Sequence, residues 1–469
     1  LFVQTDSCAQ FNSHRDSDSD IGRNVWLVKA GQVHVDNWGT NITIPVINAD
    51  KSTVEIETTL KNEASDVTVE VSTLIQDKEG KTLYRISSPA EIAAGGKKTV
   101  THTIEMFYPE LWSVRNPYLY TAITEVRVGN KLTDRYRTTF GIRKFDWDEH
   151  TGFSLNGEPT KILGVCLHHD LGCLGSAVNP RALERQLQMM KDMGANAVRT
   201  SHNPLAPELL DICDRIGLLV QDEAFDMWRK RKSPYDYARY FDEWHEKDLT
   251  DQILRDRNHP SLLIWTPTNE EFWPDRVQYP RLMHDLYNLT KMIDPTRPFH
   301  GASGGTHIAT DNWTVHNYEQ DPAKLKEKLY NGGKLMEAPK WEIHLMPMNI
   351  GYNGLKYTDQ YAFPEYKKDM PYLVDEFGGI KWNPSQQMES AQNTSWGYGE
   401  PPRSLEEFYA RLEGQVDAVL SLSNDIWGYC YTQLTDVEQE QNGIYYYDRT
   451  PKFDMKRIHA IFSKTPESK

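Results

Sequence analysis

The sequence predicts an immunoglobulin-like β-sandwich followed by a (β/α)8 TIM barrel, and three observations carry that expectation. From about Gly31 to Phe140 short runs alternate apolar and polar residues with a period of two. From Lys161 onward, short apolar runs alternate instead with longer stretches of helical spacing. At 469 residues the chain is too long for one core, because domains run to roughly 100–200 residues and a barrel to about 250.

The alternation is clearest in Val54, Ile56, Thr58, Leu60 and again in Val67, Val69, Val71. Turn-forming stretches separate the runs: Asp77-Lys78-Glu79-Gly80, Gly95-Gly96 and Gly129-Asn130. Roughly seven short strands in about 110 residues is the pattern of an immunoglobulin-like sandwich. The disulfide of antibody domains is not expected, because this stretch contains no Cys.

The rhythm changes after the hairpin-type dipeptide Asn156-Gly157. Lys161 to Val165 is predicted as a first strand, and Asn179-Pro180 as the start of a helix whose Leu183, Leu187 and Met190 share one face. Asn196 to Thr200 is a second strand, Glu208 to Ile216 a helix, and Leu218 to Glu223 a third strand. Leu262 to Thr268, Phe299 to Ala302, Trp313 to His316, Tyr372 to Val374 and Asp425 to Tyr431 complete a set of eight. Eight strands with helices between them fit a closed barrel with long loops better than an open sheet.

Composition excludes several classes. Net charge is −15, from 52 basic and 67 acidic residues, so a phosphate backbone or an anionic membrane would be repelled. No nucleic-acid partner is expected. No stretch approaches the ~18 uninterrupted apolar residues of a membrane helix, so no membrane partner is expected either. The five cysteines are scattered and form no CxxC pair, which suggests neither a disulfide framework nor a zinc site. Leu1 to Asp20 has no charged segment followed by an apolar one, and is read as the interior of a longer polypeptide.

In such barrels chemistry sits at the carboxyl ends of the strands. The first strand closes with His168-His169-Asp170, the second with Arg199-Thr200-Ser201-His202-Asn203 and the third with Asp222-Glu223. The fourth runs into Asn269-Glu270-Glu271 and the seventh into Asp375-Glu376-Phe377-Gly378. Any one of these is commonly a solvated loop residue or a structural ion-pair partner; five together at strand ends point to one mouth. Two carboxylates on opposite sides of a mouth suit glycosidic cleavage, one protonating the leaving oxygen and the other attacking or activating water. His168, His169, Asp170 and His202 are metal-capable, but no HExxH or tight carboxylate cluster accompanies them. No metal and no cofactor are expected.

The motifs Arg199-Thr-Ser-His202-Asn-Pro204, Cys213-Asp-Arg-Ile-Gly-Leu-Leu-Val-Gln-Asp-Glu-Ala224, Arg257-Asn-His-Pro260, Trp265 through Asn269-Glu270, and Asp375-Glu376-Phe-Gly378 closely resemble glycoside hydrolase family 2. The likeness runs from Ile21 onward, in the family's order. It implies a jelly-roll domain, an immunoglobulin-like domain and a barrel. Residues 1–28 then correspond to a remnant of the jelly roll, with Ile21 to Leu27 as its last strand; 29–142 to the sandwich; and 143–469 to the barrel. In the family a Ser-Arg-Trp and Gly-containing loop before that strand reaches the active site; this chain has Ser13-His-Arg-Asp-Ser-Asp-Ser-Asp20 instead.

The resemblance further implies a retaining exo-β-glycosidase acting on a carbohydrate substrate. It assigns Glu270 as acid/base, Glu376 as nucleophile, and Asn269 as the holder of the sugar 2-hydroxyl. His168 and His202 match sugar-contacting histidines, Arg199 the arginine beside the nucleophile, and Tyr318 the nearby tyrosine. Glu376 beside Arg199 and Tyr318 is expected as the anion, and Glu270 against an apolar wall of Trp265 and Trp273 as the acid.

Glucuronidases of the family carry an Asn-x-Lys motif before a Gly-Ile pair, where this chain has Glu440-Gln441-Asn442 before Gly443-Ile444. An anionic sugar is therefore disfavoured. Gly379 and Asp226-Met227-Trp228 replace the histidine and magnesium site of enterobacterial β-galactosidases. The tail Tyr429 to Glu440 is similar to a bacterial branch labelled β-galactosidase-like. A β-galactoside is the first substrate expected, ahead of β-mannoside, arabinopyranoside, β-glucoside and glucuronide. A non-catalytic carbohydrate-binding protein is the rival reading, and assembly as a homo-oligomer is open.

Overall fold

The computed structural model describes residues 23–466 except 49, 149–151, 230, 232–235, 272–277, 306, 337–365, 367–369 and 385–394. Seven strands form the first unit: β1 (Val33–Ile47), β2 (Lys51–Asn62), β3 (Val67–Gln76), β4 (Thr82–Ile92), β5 (Lys97–Phe107), β6 (Tyr120–Val128) and β7 (Lys131–Phe140). They pair antiparallel as one sheet in the order β1-β2-β5 and another in the order β4-β3-β6-β7. The period-two pattern explains the layering. Val54, Ile56 and Leu60 of β2 are wholly buried while their neighbours are half-exposed, so one face of each sheet turns to a shared core.

A small sheet of β8 (Phe145–Asp148), β9 (Gly152–Leu155) and β10 (Glu158–Pro159) follows. Asn156 and Gly157 both take positive φ, 56° and 83°, which is what a two-residue turn between β9 and β10 requires. This sheet sits under the barrel. Phe153 and Leu155 join Trp112, Ile162, Ala197, Leu219, Leu263, Leu373 and Trp427 in one apolar cluster, which closes the amino ends of the barrel strands.

The barrel strands are β11 (Ile162–His168), β12 (Ala197–Ser201), β13 (Leu219–Phe225), β14 (Leu262–Asn269), β15 (Ala302–Ser303) and β16 (Trp313–Asn317). After a short hairpin of β17 (Tyr330–Asn331) and β18 (Lys334–Leu335) come β19 (Tyr372–Gly378) and β20 (Gly428–Thr432). Eight of them form one parallel sheet, β15-β14-β13-β12-β11-β20-β19-β16. The gap between its edges is spanned by a parallel bridge from His300 to Asn312, which leaves the barrel nearly closed. The fifth strand is shorter than Phe299 to Ala302 suggested: Phe299 keeps only a bridge to Trp265.

Helices α1 (Pro180–Asp192), α2 (Pro207–Ile216), α3 (Phe241–Asp256), α4 (Gln278–Ile293), α5 (Pro322–Leu329), α6 (Leu405–Leu420) and α7 (Met455–Phe462) are the described α-helices. Asn179 caps α1 by accepting from the Ala182 N–H at 3.1 Å, and Leu183, Leu187 and Met190 are buried on one face. Sandwich and barrel are joined through polar contacts that are buried or half-buried. Asn258 accepts from the Ile42 N–H and donates to the Thr40 carbonyl, both at 2.8 Å. The Trp112 indole donates to the Asp214 carbonyl at 2.8 Å.

The jelly-roll expectation falls mostly on residues 1–22, outside the described residues. The described part of the supposed last strand, Arg23 to Leu27, is not a strand. A strand exists only through a pairing partner, and the described residues offer none here; Val25, Trp26 and Leu27 are exposed.

Candidate active site

Every barrel strand sends a side chain to one buried cluster at its carboxyl end. Arg199, wholly buried at the end of β12, is the hub. Its Nη1 donates to Glu376 Oε1 at 2.5 Å, and its Nε lies 2.6 Å from Glu223 Oε1. Its Nη2 donates to Asn269 Oδ1 at 2.9 Å and to Ser303 Oγ at 2.7 Å. One planar fork thus orders four strands, a task suited to guanidinium geometry. Beneath it, Cys166 of β11 accepts from Arg199 Nη1 at 3.5 Å. Burial pushes this thiol up to about 11, so it stays neutral.

Glu376, near the end of β19, receives a second donor, the Tyr318 hydroxyl that follows β16. Tyr318 is held in turn by Thr432 of β20, 3.1 Å away, and by stacking on Tyr398 at 3.5 Å between centroids. Both oxygens of the carboxylate are therefore oriented by side chains on other strands.

Glu270, just past β14, takes φ of 46° and is about one-third exposed at its side chain. His316 Nδ1 lies 2.7 Å from Glu270 Oε1 and 3.3 Å from Glu376 Oε2. Burial alone would lower the His316 imidazole, but Glu376, Asp375 and Glu270 around it raise it to about 9. Burial would likewise raise Asp375, yet His316, His300, Arg199 and Ser303 hold it below the ordinary range. Glu223 is pushed up by burial to about 8 against the pull of Arg199. It also meets His202 Nδ1 at 2.8 Å.

His202 Nε2 stands 3.8 Å from Glu376 Oε1, and the His168 ring meets the His202 ring edge-on at 5.5 Å. All seven residues singled out in the sequence, His168, Arg199, His202, Asn269, Glu270, Tyr318 and Glu376, thus gather in one mouth. The neighbouring Glu271 does not join them: its Oε1 accepts from the Trp228 N–H at 2.6 Å. Four members were not singled out: His316, Glu223, Asp375 and Ser303. Glu223 and Asp375 stand in the motifs at strand ends and His316 closes the Trp313 to His316 strand, which is the signal the sequence offers for them.

The expected apolar wall beside Glu270 is corrected in part. The Trp265 indole instead donates to Asp294 Oδ2 at 2.9 Å, just past α4 in the helix layer. Trp273 lies outside the described residues. Glu270 is flanked by the His316 imidazole instead. Glu270, His316 and Glu376 bring one potential ligand atom each within 4.8 Å of one another. Among the described residues no further histidine, cysteine or carboxylate completes that group.

Comparisons with known proteins agree with this architecture. The TIM barrel domain of glycosyl hydrolases family 2 matches residues 149–465, and a second domain of glycosyl hydrolases family 2 matches residues 33–143. A protein of Bacteroides ovatus named beta-galactosidase BoGH2A is 51% identical over 278 residues, covering 59% of this chain and 33% of that protein. A putative beta-glucuronidase of Formosa agariphila is 38% identical over 281 residues, covering 60% of this chain and 26% of that protein. The crystal structure of a Bacteroides uniformis beta-glucuronidase superposes with a TM-score of 0.74 at 22% identity, over 96% of this chain and 55% of that one. The chain therefore spans about a third or less of these two sequence relatives.

Proposed function

The chain belongs to glycosyl hydrolases family 2, and on that premise we propose that it is a retaining exo-β-glycosidase with β-D-galactosides as its first substrates. Glu270 is the general acid/base and Glu376 the nucleophile. The observation that carries this reading is their separation: an oxygen of each lies within 4.8 Å of the other. Retaining pairs stand about 5–5.5 Å apart, whereas inverting pairs leave ~6.5–9.5 Å for a water.

In the first step Glu376 attacks the anomeric carbon while Glu270 gives its proton to the departing glycosidic oxygen. In the second, Glu270 takes a proton from water, whose oxygen displaces Glu376 and restores the β-configuration. Arg199 and Tyr318 fix the attacking oxygens. Asn269 is positioned by Arg199 to meet the sugar 2-hydroxyl.

A neutral sugar is favoured by how the nearby cations are engaged. The Lys452 ammonium is buried on Asp436 at 2.5 Å, Arg449 is paired to Asp170 at 2.5 Å, and Arg199 faces Glu223 and Glu376. Asn442 meets Gln433 and Glu440, so the Glu440-Gln441-Asn442 stretch presents a carboxylate where a hexuronate would need a donor. The name of the Bacteroides ovatus relative supports galactose; that of the Formosa relative keeps glucuronide as the competing substrate.

Turnover of matched p-nitrophenyl β-galactoside, glucoside, mannoside, arabinopyranoside and glucuronide tests the proposal, with the first-formed anomer followed by proton NMR. Retention and a galactoside kcat/KM above that of the glucuronide are expected. An α-anomer formed first would overturn the mechanism, a higher glucuronide value the substrate, and no turnover at all would leave a carbohydrate-binding protein.

A further inference from the structure

His316 sits where two roles meet. Its Nδ1 contacts Glu270 Oε1 at 2.7 Å and Glu376 Oε2 at 3.3 Å, and its Nε2 lies 3.2 Å from Ser303 Oγ and 3.4 Å from Asp375 Oδ1. Three carboxylates from two strands thus converge on one ring that is 7% exposed. The ring is also locked in place. Gly304 has φ of 62°, and a Cβ there would stand 2.2 Å from His316 Cγ, so the imidazole packs flat on a backbone that only glycine leaves free.

We propose that His316 is a positioning residue whose imidazolium bridges Glu270 and Glu376 and, through Glu270, assists proton donation to the departing oxygen. This rests on the glycosidase reading given above. As Glu270 releases its proton, negative charge develops on an oxygen that already faces a fixed positive donor, and such preorganised donors act without reorganisation cost. Glu376 has two other donors, Arg199 and Tyr318, and the ring stands closer to Glu270, at 2.7 Å, than to Glu376, at 3.3 Å. Loss of the ring should therefore reach the acid/base more than the nucleophile.

The ring has a mixed environment of charged and polar groups. Facing the ring are Glu270 from the end of β14, Asp375 and Glu376 from β19, and Ser303 from β15. Arg199 of β12 and Glu223 of β13 stand in the same cluster, and His300 shares Asp375 at 3.4 Å. Burial lowers His300 to about 3 and His307 to about 4, so neither competes as a cation. The carboxylates outweigh burial at His316 alone of these three rings.

His316→Gln tests the idea, since it keeps an N–H donor and removes the charge. Against a phenyl galactoside, whose leaving group needs its proton, kcat/KM should fall about 100-fold or more; against the 2,4-dinitrophenyl galactoside it should fall less than about 10-fold. Equal losses on both substrates, or none, would overturn the proposal, because a structural defect moves both alike. A second measurement needs neither turnover nor that variant. In ¹⁵N-histidine NMR of the wild type at pH 7.5, one buried imidazolium should respond to Glu270→Gln by titrating at lower pH. Absence of any imidazolium that responds would overturn the bridge. If the wild type cleaves no aryl glycoside, the glycosidase reading fails and the NMR result alone decides whether the charge bridge exists.

Discussion

Arg199 Nη1 and Glu376 Oε1 stand 2.5 Å apart with both side chains almost wholly buried. The same guanidinium faces Glu223, Asn269 and Ser303, so the position of Glu376 depends on a fork that a lysine cannot reproduce.

Arg199→Lys is accordingly expected to keep a charge near Glu376 and lose its registration. kcat/KM on p-nitrophenyl β-galactoside should drop at least ~100-fold, the scale of a lost oriented donor. Arg199→Met should also cost about 3–5 kcal/mol of stability, since it strands buried carboxylates. Urea midpoints equal to wild type for Arg199→Met would contradict the hub role.

The two carboxylates proposed as catalytic, Glu270 and Glu376, should separate cleanly in kinetics. Glu376→Gln is expected to abolish turnover of every aryl glycoside while far-UV and near-UV circular dichroism stay native, because no covalent intermediate can form. Glu270→Ala should keep a fast first step on dinitrophenyl substrates and be accelerated by azide, which replaces the water that Glu270 would activate. Wild-type rates in Glu376→Gln, or no azide response in Glu270→Ala, would exchange or remove these roles.

Much of this was legible because polar residues closing an apolar strand are a local signal. Glu376 after Tyr372-Leu373-Val374 and Glu270 after the β14 run stand out without any knowledge of their partners. What was not legible depends on contacts far apart in the chain. Ser303 belongs to a strand of two residues, too short to show a period, and Cys166 reads as an ordinary core thiol. His316 reads only as the last residue of a short strand; its surroundings come from Glu270, Asp375 and Glu376 on neighbouring strands. The direction of Trp265 was misread because its distance from Glu270 in sequence says nothing about the face it takes. The Arg257-Asn-His-Pro260 motif marks a join rather than chemistry: Asn258 holds β1 and His259 pairs with Asp214 at 2.6 Å.

Asn258→Ala should therefore weaken the fold and spare the reaction. It removes the partners of the Ile42 N–H and the Thr40 carbonyl, and a buried polar group left without its partner costs about 1–3 kcal/mol. Urea denaturation should show that loss while kcat/KM stays within about 2-fold of wild type. A parallel fall in kcat/KM would place Asn258 in the machinery of the site.

Stability should fall as pH rises from about 7 to 9, and the sign follows from where protons are held. His316 and His259 are each raised from 6.5 to about 9; burial opposes this, but Glu376, Asp375 and Glu270 outweigh it at the first, and Asp214 at the second. Burial raises Glu223 from 4.5 to about 8. In each case the folded form keeps a proton that the unfolded chain has released, so the contribution is complete below the unfolded value and is lost as pH passes the folded one. Lys161, lowered by burial from 10.5 to about 8, opposes this trend only above pH 8. The slope per group is at most about 1.4 kcal/mol per pH unit. His259 lies outside the Arg199 cluster, so His259→Gln isolates one share of the effect. Urea midpoints at pH 6.5, 7.5 and 8.5 should decline in the wild type and decline less steeply in His259→Gln. A flat wild-type series would mean that these imidazoles are neutral in the folded protein, and with that the charge assigned to His316 would go as well.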